Sequence, residues 1–349
     1  MKLLIITQKV DLKDDVLGFF HRWLEEFAKH CEEIIVICLQ KGEYQLPRNI
    51  KILSLGKETG ASRLKYLFNF YRYIWNERHN YEAVFVHMNP EYMILGGVLW
   101  RLWRKKLVLW YTHRQVNPKL WIAERFSHHI VTAARESFRL KSSKIRIIGH
   151  GIDIEQFKNP DRIRRAFHKP LRIISVGRIT PIKNQDILVE AASLIKSRNI
   201  DFIMNIVGAP SSEDDLRYFE KLKRLVVQKS IKEQVKFIGV IPNKDMHTFY
   251  WENDLSVNLT PTGGIDKVVL ESMAAGVPTL VSNKGFADYF GVYAHDLIFK
   301  ERNSEDLAEK IEKIIIRPDL DELKKFLVSQ AVSRGGVERI VKRLIKELQ

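Results

Sequence analysis

The sequence predicts an α/β protein made of two doubly wound, Rossmann-like domains. Three observations carry this reading. Short, nearly continuous apolar runs alternate with longer amphipathic stretches along the chain, the pattern of parallel strands buried on both faces and joined by crossover helices. The alternation fails once, over 149–170 (GHGIDIEQFKNPDRIRRAFHKP), where Gly, Pro and charge replace it. A length of 349 residues also suits about two domains.

Taken in order, KLLIIT (2–7), EIIVICL (33–39), 50–55, AVFVH (83–87), KLVLWY (106–111) and IRII (145–148) read as strands, with helices over 18–30 and 61–79. The opening MKLLIITQKV lacks the long apolar stretch and cleavage site of a signal peptide, so it reads as the first strand. After the break come strands LRIISV (171–176), FIMNIV (202–207), VKFIG (235–239), LSVNL (255–259) and TLVS (279–282), with helices over 184–197, 213–229 and 266–275. The chain is helical from Ser304, and its last segment, VERIVKRLIKELQ, is amphipathic. The expected division is 1–165 for the first domain, 166–325 for the second, and 326–349 for a C-terminal helix packing back on the first.

Composition narrows the function classes. At 45% hydrophobic and 28% charged the chain builds cores and is not disordered. Cys31 and Cys38 form neither a metal spacing nor a disulfide framework, which fits a reducing, cytoplasmic compartment. No metal site is expected. Asp319 and Asp321 form a D-x-D, but directly after Pro318 at a helix start, where they read as capping. The longest uncharged apolar run, Tyr92 to Trp100, is far short of the ~20 residues that span a bilayer. The formal net charge of +15 attracts nucleic acid, anionic lipid or phosphorylated substrates. No RRM, zinc or helix-turn-helix signature supports a nucleic-acid partner.

Ligands of open α/β sheets bind beyond the carboxyl ends of the strands, so the loops there hold the candidate residues. In SVGRITPIKNQDILVEAA (175–192), Gly177 turns the chain, and Arg178 and Lys183 flank the next helix start. Two cations beside a helix N-terminus make a diphosphate clamp, or a pair of solvated surface charges. In TPTGGIDKVVLESMAAGVP (260–278), Gly263 and Gly264 let backbone amides approach a ligand, and Asp266 is either a helix N-cap or a ligand contact. Glu271 sits in the middle of an apolar helix. A buried carboxylate needs donors, and either neighbouring backbone N–H groups or a pair of sugar hydroxyls meets that need.

These segments resemble a known family. LESMAAGVP (270–278) resembles the L-E-A-M-A-x-G-x-P signature of retaining family 4 (group 1) glycosyltransferases with the GT-B fold. GRITPIKN (177–184) resembles their G-R-x(4)-K-G segment, IGHGIDIEQF (148–157) their interdomain N-G-V-D-x(3)-F segment, and 207–263 follows their order of elements. The resemblance implies two Rossmann-like domains facing across a cleft. The C-terminal one takes a UDP- or GDP-sugar, the N-terminal one an acceptor, and a hexosyl group is transferred with retention and without a metal or other cofactor. Arg178 and Lys183 match the residues that grip the diphosphate and act in catalysis, and Glu271 matches the acid that binds the ribose. Gly208, Gly239, Val240, Gly263, Gly264, Asp266 and Lys267 complete the expected donor site. The family's second Glu, eight residues before the ribose acid, is Gly263 here, and His150 replaces the interdomain Asn. An inactive GT-B binding or scaffold protein is therefore the alternative.

In the N-terminal half, His113 ends a strand in WYTHRQVN (110–117), where the family keeps a His facing the transferred sugar. The loop in TQKVDLKDDVLGFFHRW (7–23) offers Asp11, Asp14 and Asp15 to acceptor hydroxyls and Gly18 for close approach, although acids there also suit the helix dipole. SRLKYLFNFYRYIWNERHN (62–80) and WRLWRKK (100–106) mix aromatic and basic residues, which serve core packing or a membrane interface. A peripheral place on the cytoplasmic membrane face, with a lipid-linked or cell-surface glycan precursor as acceptor, is the corresponding expectation.

Overall fold

The structure is a computed structural model that describes residues 1–14, 17–113, 115–159 and 166–349. The chain forms two units, Met1–Gly151 with Gly336–Gln349, and Ile152–Gly335.

Unit 1 holds strands β1 (Lys2–Val10), β2 (Glu33–Lys41), β3 (Ile50–Ser54), β4 (Ala83–His87), β5 (Lys106–Trp110), β6 (His129–Thr132) and β7 (Ile145–Ile147). They pair in parallel in the order β3-β2-β1-β4-β5-β6-β7. Alternate residues of β1 enter opposite layers. Leu3 and Ile5 join Trp23 and Phe27 of helix Phe19–Ala28 and Ile340 and Leu344 of helix Val337–Leu348. Leu4 and Ile6 join Phe70, Met93 and Leu120 from helices Arg63–Asn76, Pro90–Leu102 and Pro118–Phe126. Each such side chain contributes roughly 1.5–3 kcal/mol on burial. Helix Val337–Leu348 buries Val337, Ile340, Val341, Leu344 and Leu348, one stripe at helical spacing.

Among the described residues of unit 1, two helices and one strand escape the sequence reading. PEYMILGGVLWRL is apolar nearly all round, and β6 has only four residues. Both missed helices begin with Pro at the first position after an Asn, at Asn89 and Asn117. That Asn-Pro start signal was legible.

Unit 2 holds β8 (Leu171–Val176), β9 (Phe202–Val207), β10 (Val235–Gly239), β11 (Leu255–Asn258) and β12 (Thr279–Val281), parallel in the order β10-β9-β8-β11-β12. Strand order reverses between β8 and β11. The crevice at such a switch point is the place for a ligand, and here it lies between the loops after Val176 and Asn258.

Candidate functional site

Three glycines end neighbouring strands of unit 2. Gly177, Gly208 and Gly239 have φ of 153°, 133° and 85°. The Gly177 N–H donates to Val207 O at 3.0 Å and the Gly208 N–H to Gly239 O at 2.8 Å. A Cβ on Gly208 would stand 2.0 Å from the Gly177 carbonyl oxygen, so no larger residue fits. The Lys183 stem runs beside Gly177, its Cε 3.6 Å from where a Cβ would be.

Lys183 closes a short turn, Pro181–Lys183, that precedes helix Gln185–Ser197. Asn184 is left-handed there, and its buried amide donates to Leu259 O at 3.1 Å, tying this loop to the one after β11. The Lys183 ammonium then crosses the switch point. It donates to Asp266 Oδ2 at 2.7 Å and to Thr260 Oγ1 at 2.9 Å. Thr260 Oγ1 donates on to Asp266 Oδ2 at 2.5 Å, and Asn258 Nδ2 donates to the same oxygen at 3.0 Å. Burial pushes the Asp266 carboxyl up, but the Lys183 charge and these three donors outweigh it and hold it below its usual range.

Asp266 occupies the N-cap position of helix Lys267–Ala274, yet its side chain makes no capping bond. The capping alternative therefore fails, because the carboxylate turns to Lys183 instead. The helix begins without a side-chain cap, and Lys267 stands in its first turn. A bare N-terminus with a cation beside it favours an anion.

Glu271 is buried one turn further on. Tyr250 Oη donates to its Oε2 at 3.3 Å and lies 3.1 Å from Val268 O, so one phenolic proton serves two acceptors. Burial raises the Glu271 carboxyl, with the charge of Lys267 and the bonds from Tyr250 and Asn243 opposing it. Burial likewise pushes Lys267 down to about 8 against the pull of Glu271 and Asp266. The donors to Glu271 thus come from side chains of another helix and loop, Tyr250 and Asn243, which sequence reasoning did not name.

Arg178 is exposed and leans away from Lys183's partners. Its Nη1 donates to Ser211 Oγ at 3.4 Å, and Ser211 Oγ donates to Asp215 Oδ2 at 2.9 Å. A bond from Thr180, with further ones from Ser211 and Ser212, holds Asp215 down at about 2. The two expected clamp cations therefore bracket the end of β8, one reaching the loop after β9 and the other the loop after β11.

Gly263 is buried in the loop before the helix. Beside it, the Thr262 N–H donates to Glu301 Oε1 at 2.7 Å, and Asn283 Nδ2 donates to Gly264 O at 2.6 Å. Glu301, distant in sequence, thus brings a carboxylate next to the position where the resemblance expects one. Val240 is exposed just beyond Gly239.

The remaining candidates lie in unit 1. Asp11 accepts from the Lys13 N–H at 3.1 Å and pairs with Lys9 at 3.1 Å. Lys9 also donates to Asp14 at 2.8 Å. A Cβ on Gly18 would meet Asp14 O at 2.5 Å, so the chain's own backbone accounts for that glycine. His113 is exposed, edge-on to Tyr111 with ring centroids 5.7 Å apart. Asp15 lies outside the described residues.

Residues 156–329 match the model of a family described as Glycosyl transferases group 1. The amylovoran biosynthesis glycosyltransferase AmsK of Erwinia amylovora is 29% identical over 147 residues, 40% of this chain and 34% of that protein. The putative colanic acid biosynthesis glycosyltransferase WcaL of Salmonella typhimurium is 23% identical over 228 residues, 60% of this chain and 54% of that protein. The chain thus spans about a third to a half of these two relatives. The lipopolysaccharide core biosynthesis mannosyltransferase LpcC of Rhizobium leguminosarum is 24% identical over 259 residues, 71% of this chain and 70% of that protein. Among solved structures, Anabaena Alr3699/HepE in complex with UDP superposes with a TM-score of 0.75 at 17% identity, covering 99% of each chain. Sucrose-phosphate synthase of Thermosynechococcus elongatus gives 0.77 at 14% identity over 99% of this chain and 98% of that one. These likenesses show the fold, that of the GT-B glycosyltransferases.

Proposed function

The chain belongs, through its second unit, to the glycosyl transferases group 1 family, and from that premise we propose that it moves a hexosyl group from a UDP- or GDP-sugar to a glycan or lipid-linked acceptor with retention of configuration. Unit 2 is the donor domain in this reading and unit 1 the acceptor domain. The observation that carries it is Lys183 held at the switch point beside an uncapped helix start, with Glu271 one turn behind.

The chemistry follows from charge. Breaking the glycosidic bond to a nucleoside diphosphate leaves negative charge on the diphosphate. Arg178, Lys183 and the first-turn amides of helix Lys267–Ala274 are preorganised donors for that charge. With the charge carried by side chains, the reaction needs no metal. Glu271 accepts from the two ribose hydroxyls, which add donors to those of Tyr250 and Asn243. The backbone at Gly239 and Val240 takes the base. In unit 1, His113 donates to the transferred sugar, and the loop that carries Asp11 borders the acceptor. A place in the cytoplasm, against the membrane face where glycan precursors are assembled, fits the polysaccharide-related names of the relatives.

The test is thermal melting with UDP, GDP, ADP and CMP, followed by transfer assays. Saturation at a hundredfold excess over Kd stabilises a protein by about 2.7 kcal/mol, so one diphosphate should raise the melting point by several degrees. Arg178→Ala should lose most transfer; near-normal turnover would refute the clamp. Gly263, in place of an acid, favours a second reading, a chain that binds the nucleotide without turning it over. Product from any nucleotide-sugar removes that reading.

A further inference from the structure

The three helices over the Leu4–Ile6 side of the unit 1 sheet leave large apolar side chains in solvent. On helix Arg63–Asn76, Leu64 is 79% exposed, Phe68 65% and Trp75 52%, with Leu67 and Tyr71 also outward. Steps of three and four residues put them on one side, while Phe70 and Ile74 enter the core. Leu102 on the next helix is 72% exposed and Trp121 on the third 59%.

These belong to one layer. Tyr71 Oη donates to Leu95 O at 3.1 Å, and the Trp75 and Trp103 rings lie 5.7 Å apart. A Cβ on Gly97 would stand 2.5 Å from the Phe126 ring, so the Phe126 side chain of the third helix packs directly on the backbone of the second. A contiguous apolar patch on a folded protein marks an interaction surface.

Its charge identifies the occupant. Helix Arg63–Asn76 has Arg63, Lys65 and Arg72 and no acid. Arg72 lies over the Phe68 ring at 5.9 Å and Arg78 over Trp75 at 4.8 Å. Arg101, Arg104, Lys105 and Lys106 flank Leu102 in sequence and line an open recess of about 760 Å³ with Met1, Glu82 and Gln349. The acids on the other two helices are already engaged, Glu91 by Lys119 at 2.8 Å and Glu124 by Ser142 at 2.7 Å. Cations are thus interleaved with aromatic and aliphatic side chains, a composition suited to the headgroup region of an anionic bilayer. Among the described residues, no helix is long and apolar enough to cross a membrane.

We propose that this outer face of the unit 1 helical layer docks the protein on an anionic lipid surface, with Leu64, Phe68, Trp75 and Leu102 entering the headgroup–acyl boundary and the arginines and lysines meeting lipid phosphate. It gives the membrane reading a defined surface and stands independently of transferase turnover.

Co-sedimentation with phosphatidylglycerol–phosphatidylcholine vesicles, against phosphatidylcholine alone, tests it. Expected are binding to the anionic vesicles only, steep weakening with salt, and a loss of roughly tenfold or more for Leu64→Glu/Phe68→Glu. Arg72→Gln should cost ~5-fold. Because Leu64 and Phe68 are largely exposed, the double variant should keep its melting temperature. It should also keep its nucleotide-induced shift, so that failure of docking is separable from failure of the donor site. Brominated lipid should quench tryptophan emission in wild type and less in Trp75→Phe. No binding at low salt, equal binding to neutral vesicles, or unchanged binding by the double variant would overturn the proposal. So would a lipid-free dimer that the double variant dissociates, since the face would then be a self-interface.

Discussion

Lys183 and Asp266 hold each other at 2.7 Å across the switch point of unit 2, from loops that follow β8 and β11. The lysine that would meet a donor diphosphate is thus already neutralised by the protein. An arriving diphosphate competes with, or shares Lys183 with, a fixed carboxylate. Asp266→Asn keeps the shape and removes the competitor. It should bind UDP or GDP roughly fivefold to tenfold more tightly by calorimetry, about 1 kcal/mol or slightly more, the size of one close charge interaction near a protein surface. Weaker binding would mean that Asp266 itself grips the ligand.

Glu271→Gln separates stability from binding. The burial that raises the Glu271 carboxyl also disfavours its charged form, so a neutral amide of equal shape should leave urea stability unchanged or higher at pH 7. The ribose contact proposed for Glu271 is weakened by the same change. The melting-point rise with the preferred nucleotide should shrink in the variant while the apo melting point does not fall. A variant that unfolds early yet keeps full nucleotide response would assign Glu271 to the fold alone.

Lys267 gives a pH signature. Its folded value sits near 8, below the ordinary 10.5. Between those values the unfolded chain binds the proton and the folded chain does not, so stability rises with pH there and is lower by the full amount below about 8. At about 1.36 kcal/mol per unit the effect is on the order of 3 kcal/mol. Lys267→Met should flatten this rise between pH 8 and 10 in denaturant titrations compared with wild type, and should stabilise the apo protein at pH 7. A parallel pair of pH profiles would show that the ammonium is solvated.

Gly208→Ala combines a positive φ of 133° with a Cβ 2.0 Å from the Gly177 carbonyl. Both the strain and the clash must be relieved by parting β8 from β9 at the site. The expected loss is about 3 kcal/mol or more in chemical denaturation, accompanied by loss of nucleotide response. Gly60, with φ 71° but nothing within 4 Å of an added Cβ, is the control, and its alanine variant should lose only about 1 kcal/mol.

The architecture was legible because its signal is local. Strands buried on both faces must be apolar throughout, and the helices between them amphipathic. Helix Pro90–Leu102 was not seen because it is apolar on nearly every side, with Gly96 and Gly97 buried and Gly97 against Phe126 of the next helix. The site was legible in its loops but not in its connections. Motifs single out Lys183 and Glu271 as candidates. That Asp266 turns to Lys183, that Tyr250 and Asn243 meet Glu271, and that Glu301 comes to Thr262 are contacts between residues far apart in sequence, which no spacing encodes. Asp11 and Gly18 show the converse: residue types that suit a ligand are engaged here by Lys9 and by the loop's own backbone.

The return of helix Val337–Leu348 to the first unit has a consequence for biosynthesis. The unit 1 sheet is complete once residue 147 has been made, but the layer holding Leu3, Ile5 and Trp23 is closed by Ile340 and Leu344, which the ribosome adds only after all of unit 2. The earlier unit therefore waits through the synthesis of the whole second unit with one side of its sheet open to water. A nascent chain in that interval exposes Trp23, Phe27 and the strand residues beneath them, a surface on which chaperones act and from which aggregation starts.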